Sequence, residues 1–393
     1  MRYRAAWVLP VSSPPLPAGV VTVDRGRILG VGAGADGKVE DLGNVAILPG
    51  LVNAHAHLEL SWMRGRVRPA ASMARWAAAL IAERRASMHD PAESTAAAIA
   101  EARAAGTSLV GDVANGLTSY EPLAASSLCA VIFHELIGFS TSDPERVVAG
   151  AAARIAELPQ NDCVRLSIVP HAPYSVSPDL MQAIARHSAG RPMSVHLGES
   201  PEEVQFLRNG TGAWREILES LGAWNAAWKP PGCGPVKYLE NLGLVTRNLV
   251  AVHGVQLTDD ELETLARAGA TIVTCPRSNR WTGAGDPPVE RFFRSGVRVA
   301  VGTDSLASVG DLNLFTELAL LRQLAPKVPP RAILYSGSSA GAEALGFGSE
   351  LGTLEPGKRA QLIAVRIPAN VADVEEYLLG GIQPSDVHWL DAG

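Results

Sequence analysis

From about residue 46 the chain alternates between short, near-continuously apolar runs and longer amphipathic stretches. Eight apolar runs stand out, over residues 46–56, 108–114, 129–137, 164–170, 193–198, 248–254, 271–275 and 297–303. Each is apolar on both faces, the pattern of a parallel strand covered on both sides. Helix signals lie between most of them. Ser177-Pro178 reads as an N-cap followed by Pro at the first helical position. Ser200-Pro201-Glu202-Glu203 repeats that signal with capping-box spacing, and Thr258-Asp259-Asp260-Glu261 supplies a second box. Gly106, Gly269 and Gly296 fall just before strands, where a helix C-terminus calls for a left-handed residue. Eight strands with intervening helices predict an α/β fold of the (β/α)₈ barrel type. The rival is an open doubly wound sheet, and no Gly-x-Gly-x-x-Gly opens a helix after the first strand to support it.

The two ends of the chain read differently. Residues 20–23, 27–31 and 39–42 are short strand patterns with Gly and Asp turns, and residues 352–354 and 361–366 resemble them. This predicts a small composite β-domain from residues 1–45 plus 346–393, beside a barrel domain over 46–345. Residues 62–90 form an insertion after the first strand, with a helix over 72–87. Insertions at strand C-termini commonly cover barrel sites.

Composition removes several function classes. Apolar residues make up 47% and charged residues 19%, which excludes a disordered chain. The net charge is −6 with no basic cluster, so a nucleic-acid partner is not expected. No apolar run approaches the ~18 residues of a membrane span, so no membrane partner is expected either. Residues 1–21 are interrupted by Pro10, Pro14, Pro15 and Pro17 and do not read as a secretory signal. Cys129, Cys163, Cys233 and Cys275 are widely spaced without a Cys-x-x-Cys, the usage of a reduced cytoplasmic protein.

The chemistry lies at the strand ends. The first strand ends His55-Ala56-His57, the fourth at His171, the fifth in His196-Leu197-Gly198-Glu199, the sixth at His253 and the eighth in Gly302-Thr303-Asp304. In a parallel barrel these ends converge on one rim. His55 and His57, two apart on a strand, point to one face, so one ion can take both imidazoles. His196 and Asp304 complete a set of three nitrogens and one oxygen, suited to Zn²⁺, with Fe²⁺ as the alternative. A single His-x-His is a weak motif. Five of the chain's nine histidines at predicted barrel strand ends is a much harder coincidence, since only His89, His134, His187 and His388 fall elsewhere.

These motifs resemble a known family. Pro49-Gly50-Leu51-Val52-Asn53-Ala54-His55-Ala56-His57 resembles the opening signature of the amidohydrolase superfamily. His196-Leu197-Gly198-Glu199, His253-Gly254, Cys275-Pro276-Arg277-Ser278-Asn279 and Gly302-Thr303-Asp304 are similar, in order, to its deaminase/chlorohydrolase branch. The resemblance runs from about residue 20 to residue 365. It implies a distorted (β/α)₈ TIM barrel with a β-sandwich formed by both termini, and a homodimer. One departure is Gly357-Lys358-Arg359-Ala360-Gln361-Leu362, where the family usually has Ala-Asp-Leu. Many relatives bridge two metals with a carbamylated lysine at the end of strand four. No lysine occurs between Lys38 and Lys229, which excludes that bridge and leaves one divalent metal. Glu135 could bridge in the manner of some deacetylases, but bonding to nearby backbone or substrate is the preferred reading.

The implied reaction is hydrolytic deamination of an aromatic amidine carbon by metal-activated water. Asp304 ligates and takes the water proton, Glu199 protonates the ring nitrogen, and His253 orients the attacking hydroxide. The Glu199 position favours deaminase or dehalogenase chemistry over cyclic amide cleavage. His171 resembles a position that touches nucleoside substrate, with a structural rim histidine as the other reading. Trp76 and Trp62 either close over a base or pack the insertion helix. Glu59, Arg64 and Arg277 are substrate-contact candidates, with exposed salt bridges as the alternative. His57-Leu58-Glu59-Leu60-Ser61 and Phe133-His134-Glu135-Leu136-Ile137-Gly138 are similar to segments of aminofutalosine deaminases. They favour aminofutalosine or a related 6-aminopurine nucleoside as the small-molecule partner. A triazine-type hydrolase and a non-catalytic barrel scaffold are the rival readings.

Overall fold

The computed structural model describes residues 1–34, 38–87, 90–159 and 161–391. His89 lies outside them. Eight parallel strands build the central body: β1 (Leu51–Ala56), β2 (Thr107–Ala114), β3 (Cys129–Leu136), β4 (Val164–Pro170), β5 (Met193–Leu197), β6 (Leu249–His253), β7 (Thr271–Thr274) and β8 (Arg298–Val301). β2 and β3 are buried at every position. Helices cover the outside, as a sheet apolar on both faces requires. The predicted N-caps form: the Ser177 hydroxyl accepts from the Leu180 amide, and Thr258 and Glu261 make a full capping box. Gly106, Gly269 and Gly296 all take positive φ.

The barrel closes from two arcs. β4-β3-β2-β1 form one continuous four-stranded sheet and β5-β6-β7-β8 the other. They meet at two seams with sparse backbone pairing. At one, Ala56 bridges Asp304 and the Asp304 amide donates to the His55 carbonyl at 3.0 Å. At the other, the His196 amide donates to the His171 carbonyl at 2.9 Å. The first seam is clamped by a buried reciprocal pair: Asn53 Nδ2 donates to Thr303 Oγ1 at 2.8 Å, and the Thr303 amide donates to Asn53 Oδ1 at 3.1 Å. Gly302 permits the approach, because a Cβ there would stand 2.7 Å from the His55 carbonyl oxygen.

The termini form two small sheets. One contains Arg2–Arg4, Gly19–Asp24, Arg27–Ala33 and Glu40–Asp41; the other contains Trp7–Val8, Leu16–Pro17, Val45–Pro49, Leu362–Arg366 and Val387–Trp389. Three details differ from expectation. The run 46–56 is two strands: Val45–Pro49 pairs with Leu362–Arg366, and the chain crosses into the barrel at Gly50. The Gly50 amide still bonds to the Gln361 carbonyl, while the Leu51 amide bonds to the Gly106 carbonyl. A Cβ at Gly50 would stand 2.6 Å from that of Ser108, so the crossing needs glycine. Residues 352–354 form no strand, although the Leu354 amide reaches the Pro10 carbonyl. Ser200 caps its helix, but the Glu203 carboxylate does not close the box. It turns back to accept from the Gly198 and Glu199 amides at 2.9 and 3.0 Å.

Candidate metal centre and active site

The eight polar side chains that converge on the rim come from strand ends or from within three residues beyond them. His55 Nε2 and His57 Nε2 lie 3.9 and 3.5 Å from Asp304 Oδ1. His196 Nε2 lies 3.6 Å from Glu135 Oε1, and His253 Nε2 lies 3.7 Å from Glu199 Oε1. These are ion-pair separations, too long for hydrogen bonds. Three overlapping sets of potential ligands result: His55, His57 and Asp304; His55, His196 and His253; and Glu135, His171 and His196. The backbone is strained where it delivers two of these groups, for His253 and Asp304 take φ values of 76° and 64°.

The site holds buried polar atoms without partners, which few folded interiors tolerate. Both ring nitrogens of His55, Nε2 of His196 and Oε2 of Glu199 make no hydrogen bond. Around them other side chains hold the ligand-type groups in place, although Asn279 Nδ2 is itself without a partner. Ser278 Oγ donates to Asp304 Oδ2 at 2.5 Å, leaving Oδ1 toward the histidines. Asn279 Oδ1 lies 2.8 Å from His253 Nδ1, which places the proton on that nitrogen. His253 Nε2 is then an acceptor, and His196 Nδ1, 3.0 Å away, donates to it. In its neutral form His196 then carries its lone pair on Nε2. Asn115 Nδ2 donates to Glu135 Oε2 at 2.9 Å.

Electrostatics point the same way. Burial, reinforced by the neighbouring imidazoles, holds His55 well below the ordinary range. Burial with His196 beside it takes His253 down to about 3. Burial lowers His171 to about 4, against the pull of Glu135. Burial opposes a charge on His196, yet Glu135 raises it to about 9. For Glu135 burial is outweighed by His171 and His196, which hold it far below the usual carboxylate range. Burial also works against the Asp304 carboxylate, but His57, His253 and Ser278 keep it low. For Glu199 burial outweighs the pull of His196 and pushes the carboxyl up to about 8. Unpartnered imidazole nitrogens beside low-pKa carboxylates form a place that draws positive charge, met here by a proton on His196. A divalent cation satisfies them, and three imidazoles with one carboxylate oxygen suit borderline metals.

The site opens into a cavity of about 450 Å³. His57, Glu135, His171, His196, Glu199, His253 and Asp304 line its floor. Its walls are apolar, from Trp76, Leu80 and Ile81 of the insertion helix Met73–Ala86 and from Tyr174, Trp214 and Leu218. Tyr174 and Trp214 stack with centroids 3.7 Å apart.

The substrate candidates divide. His171 and Trp76 line the cavity. Glu59 and Arg277 do not, and that expectation is corrected. The Glu59 carboxylate is taken by the amides of Asn115, Gly116 and Thr118. The Arg277 guanidinium is taken by Asp311 and by the fully buried Glu317. Arg64 pairs with Glu101, and Trp62 packs outside the cavity lining. Sequence reasoning missed Trp214, Asn115, and the supporting roles of Ser278 and Asn279. The last two stand inside the quoted Cys275–Asn279 motif, one and two residues beyond Arg277 on the helix Pro276–Thr282.

Fold and site together define a hydrolase barrel with a rim built for a divalent metal. The chain belongs to the amidohydrolase family, whose model matches residues 46–378, and it is a hydrolase acting on C–N bonds. It is 30% identical over 318 residues to an aminodeoxyfutalosine deaminase of Deinococcus radiodurans, covering 78% of this chain and 75% of that protein. It is 29% identical over 408 residues to a 5-methylthioadenosine/S-adenosylhomocysteine deaminase of Moorella thermoacetica, covering 97% and 90%. Among solved structures, an adenosine deaminase from Xanthomonas campestris with bound zinc superposes with a TM-score of 0.83 at 27% identity, over 100% and 91% of the two chains. Helicobacter pylori aminofutalosine deaminase in complex with methylthio-coformycin superposes with a TM-score of 0.85 at 23% identity, over 96% and 95%, a likeness of fold. Among the described residues no helix is long and apolar enough to cross a membrane.

Proposed function

We propose that the protein is a hydrolytic deaminase of an aminopurine nucleoside, with one divalent metal, Zn²⁺ by preference, held by His55, His57, His196 and Asp304. The observation that carries this reading is the group of unpartnered buried atoms at the rim, His55 Nε2, His196 Nε2 and Glu199 Oε2. When bound, such an ion supplies Lewis acidity and lowers the pKa of water toward neutrality.

The chain's own groups have distinct tasks. Asp304, one oxygen anchored by Ser278, offers the other to take a proton from water. His253, its Nδ1 fixed by Asn279 and its Nε2 3.7 Å from Glu199 Oε1, is placed to orient the attacking oxygen. Glu199 stands across the floor with an unengaged oxygen, placed to give a proton to the ring nitrogen and pass one to departing ammonia. The Glu203 carboxylate fixes the backbone that presents Glu199. His171, its Nδ1 2.6 Å from Ser175 Oγ, faces the substrate space. Trp76 and the Tyr174–Trp214 stack supply apolar walls for a base and its arm.

Aminofutalosine is the favoured substrate. The relative named as an aminodeoxyfutalosine deaminase supports it. So does the cavity: past its apolar walls, Arg84 and Arg85 stand at the end of the insertion helix. A nucleoside arm that is apolar and ends in a carboxylate meets both features. Methylthioadenosine, with a neutral arm, meets only the first. The test is ammonia release by the zinc-loaded protein from aminofutalosine, methylthioadenosine, S-adenosylhomocysteine and adenosine, with chloride release read for atrazine. Release from aminofutalosine at the highest kcat/KM is expected. Turnover of atrazine alone, or of none, overturns the reading.

A further inference from the structure

At the opposite end of the barrel lies a pair of cysteines that the proposed chemistry does not use. Cys129 opens β3 and is buried; Cys163 precedes β4 and is half-buried. Their sulfurs are 2.8 Å apart, with the Cys129 thiol donating to Cys163. The Ala130 amide bonds to the Cys163 carbonyl at 2.8 Å, and Ala130 is in register with Val164. The two cysteines are therefore neighbours across adjacent parallel strands. Such strands run ~4.7–4.9 Å apart, inside the ~4.4–6.8 Å Cα window of a disulfide.

A cation stands beside this pair. Arg359 Nη1 lies 3.0 Å from Cys163 Sγ, and Glu350 holds the same guanidinium through Nε at 2.9 Å. Arg359 belongs to the departure from the usual family motif in the tail. Of the two thiols, Cys163 ionises first, because Cys129 donates to its sulfur and Arg359 favours the thiolate. A partly exposed thiolate with a resolving thiol in contact is the arrangement that exchange chemistry needs.

We propose that Cys129 and Cys163 are a redox-active dithiol that closes to an intramolecular disulfide in exchange with a low-molecular-weight disulfide. The Cys163 thiolate attacks one sulfur of glutathione disulfide, its S–S bond breaks, and one glutathione thiolate leaves. Cys129 loses its proton to that thiolate and attacks Cys163 Sγ. The second glutathione leaves, so one disulfide is reduced as one is formed. The pair lies six residues along β3 from Glu135, ~20 Å at ~3.3 Å per residue, so closure leaves the rim in place.

Native protein treated with glutathione disulfide should, before any alkylation, lose about 2 Da relative to the reduced chain. Proteolysis should yield one linked peptide pair containing Cys129 and Cys163, with Cys233 and Cys275 alkylated after denaturation. Dithiothreitol should reverse the change, with kcat/KM on the working substrate unaffected. Cys129→Ser should trap the glutathione adduct on Cys163. Arg359→Gln should slow exchange roughly tenfold at neutral pH, as the thiol returns toward its ordinary pKa. Full alkylation of Cys129 and Cys163 after oxidant, in protein that keeps its native thermal midpoint, overturns the proposal. So does an adduct on Cys163 of the unmutated chain that never resolves.

Discussion

The short helix Pro276–Thr282 stands between two buried polar clusters of opposite character. On one side Arg277 meets Glu317 and Asp311, and also the carbonyls of Asp311 and Asn313, so its donors are engaged. On the other side Ser278 and Asn279 hold Asp304 and His253, whose neighbours His55, His196 and Glu199 keep unpartnered atoms. Both clusters bury charge. The first closes on itself, and the second is complete only with something added. That contrast separates a polar group that serves the fold from one that serves a reaction better than burial does.

The contrast can be broken experimentally, beginning where the effect is largest. Stripping metal with a chelator should abolish turnover, and restoring one equivalent of zinc per chain should return it; metal analysis with steady-state assay checks this. Activity that survives complete stripping would place the unpartnered atoms among structural features. Next, Glu199→Gln should lower kcat by roughly 10²–10⁴ with metal content unchanged, read by kinetics beside metal analysis. The satisfied cluster should answer in stability instead. Arg277→Met leaves Glu317 buried without its cation and should cost about 3–5 kcal/mol in chemical denaturation, with KM unchanged in the folded fraction. Adding Glu317→Leu should recover most of that loss, since an apolar pair of similar volume replaces a buried ion pair at little cost. The smallest effect sharpens substrate choice. Arg84→Ala should raise KM for aminofutalosine about tenfold, the scale of one charge-assisted hydrogen bond, and leave KM for methylthioadenosine unaltered. Equal shifts for both would detach the arginines from substrate recognition.

What was legible in the chain follows from the same physics. The eight barrel strands announce themselves because burial on both faces demands continuous apolar runs, and seven of them lie within two residues of their predicted limits. The run that breaks at Gly50 stays apolar across the break, since both sheets bury it; only Pro49-Gly50 marks the crossing. The shortest terminal strands, Trp7–Val8 and Leu16–Pro17, are too brief to show a period. In the site, the histidines and Asp304 could be grouped because strand ends have a common address in a barrel. Glu59 and Arg277 share that address in sequence, yet local amides and buried carboxylates claim their charges first. Trp214 comes from a helix after the fifth strand, whose fold against Tyr174 no local pattern encodes.

The two seams of the barrel carry one more consequence. His55, His57, Glu135 and His171 belong to one arc, while His196, His253 and Asp304 belong to the other. Anything that binds the whole group rivets two half-shells whose backbones barely touch where it sits. Heating the stripped protein should therefore loosen the molecule first along those joints, and the loaded protein should hold together to a higher temperature.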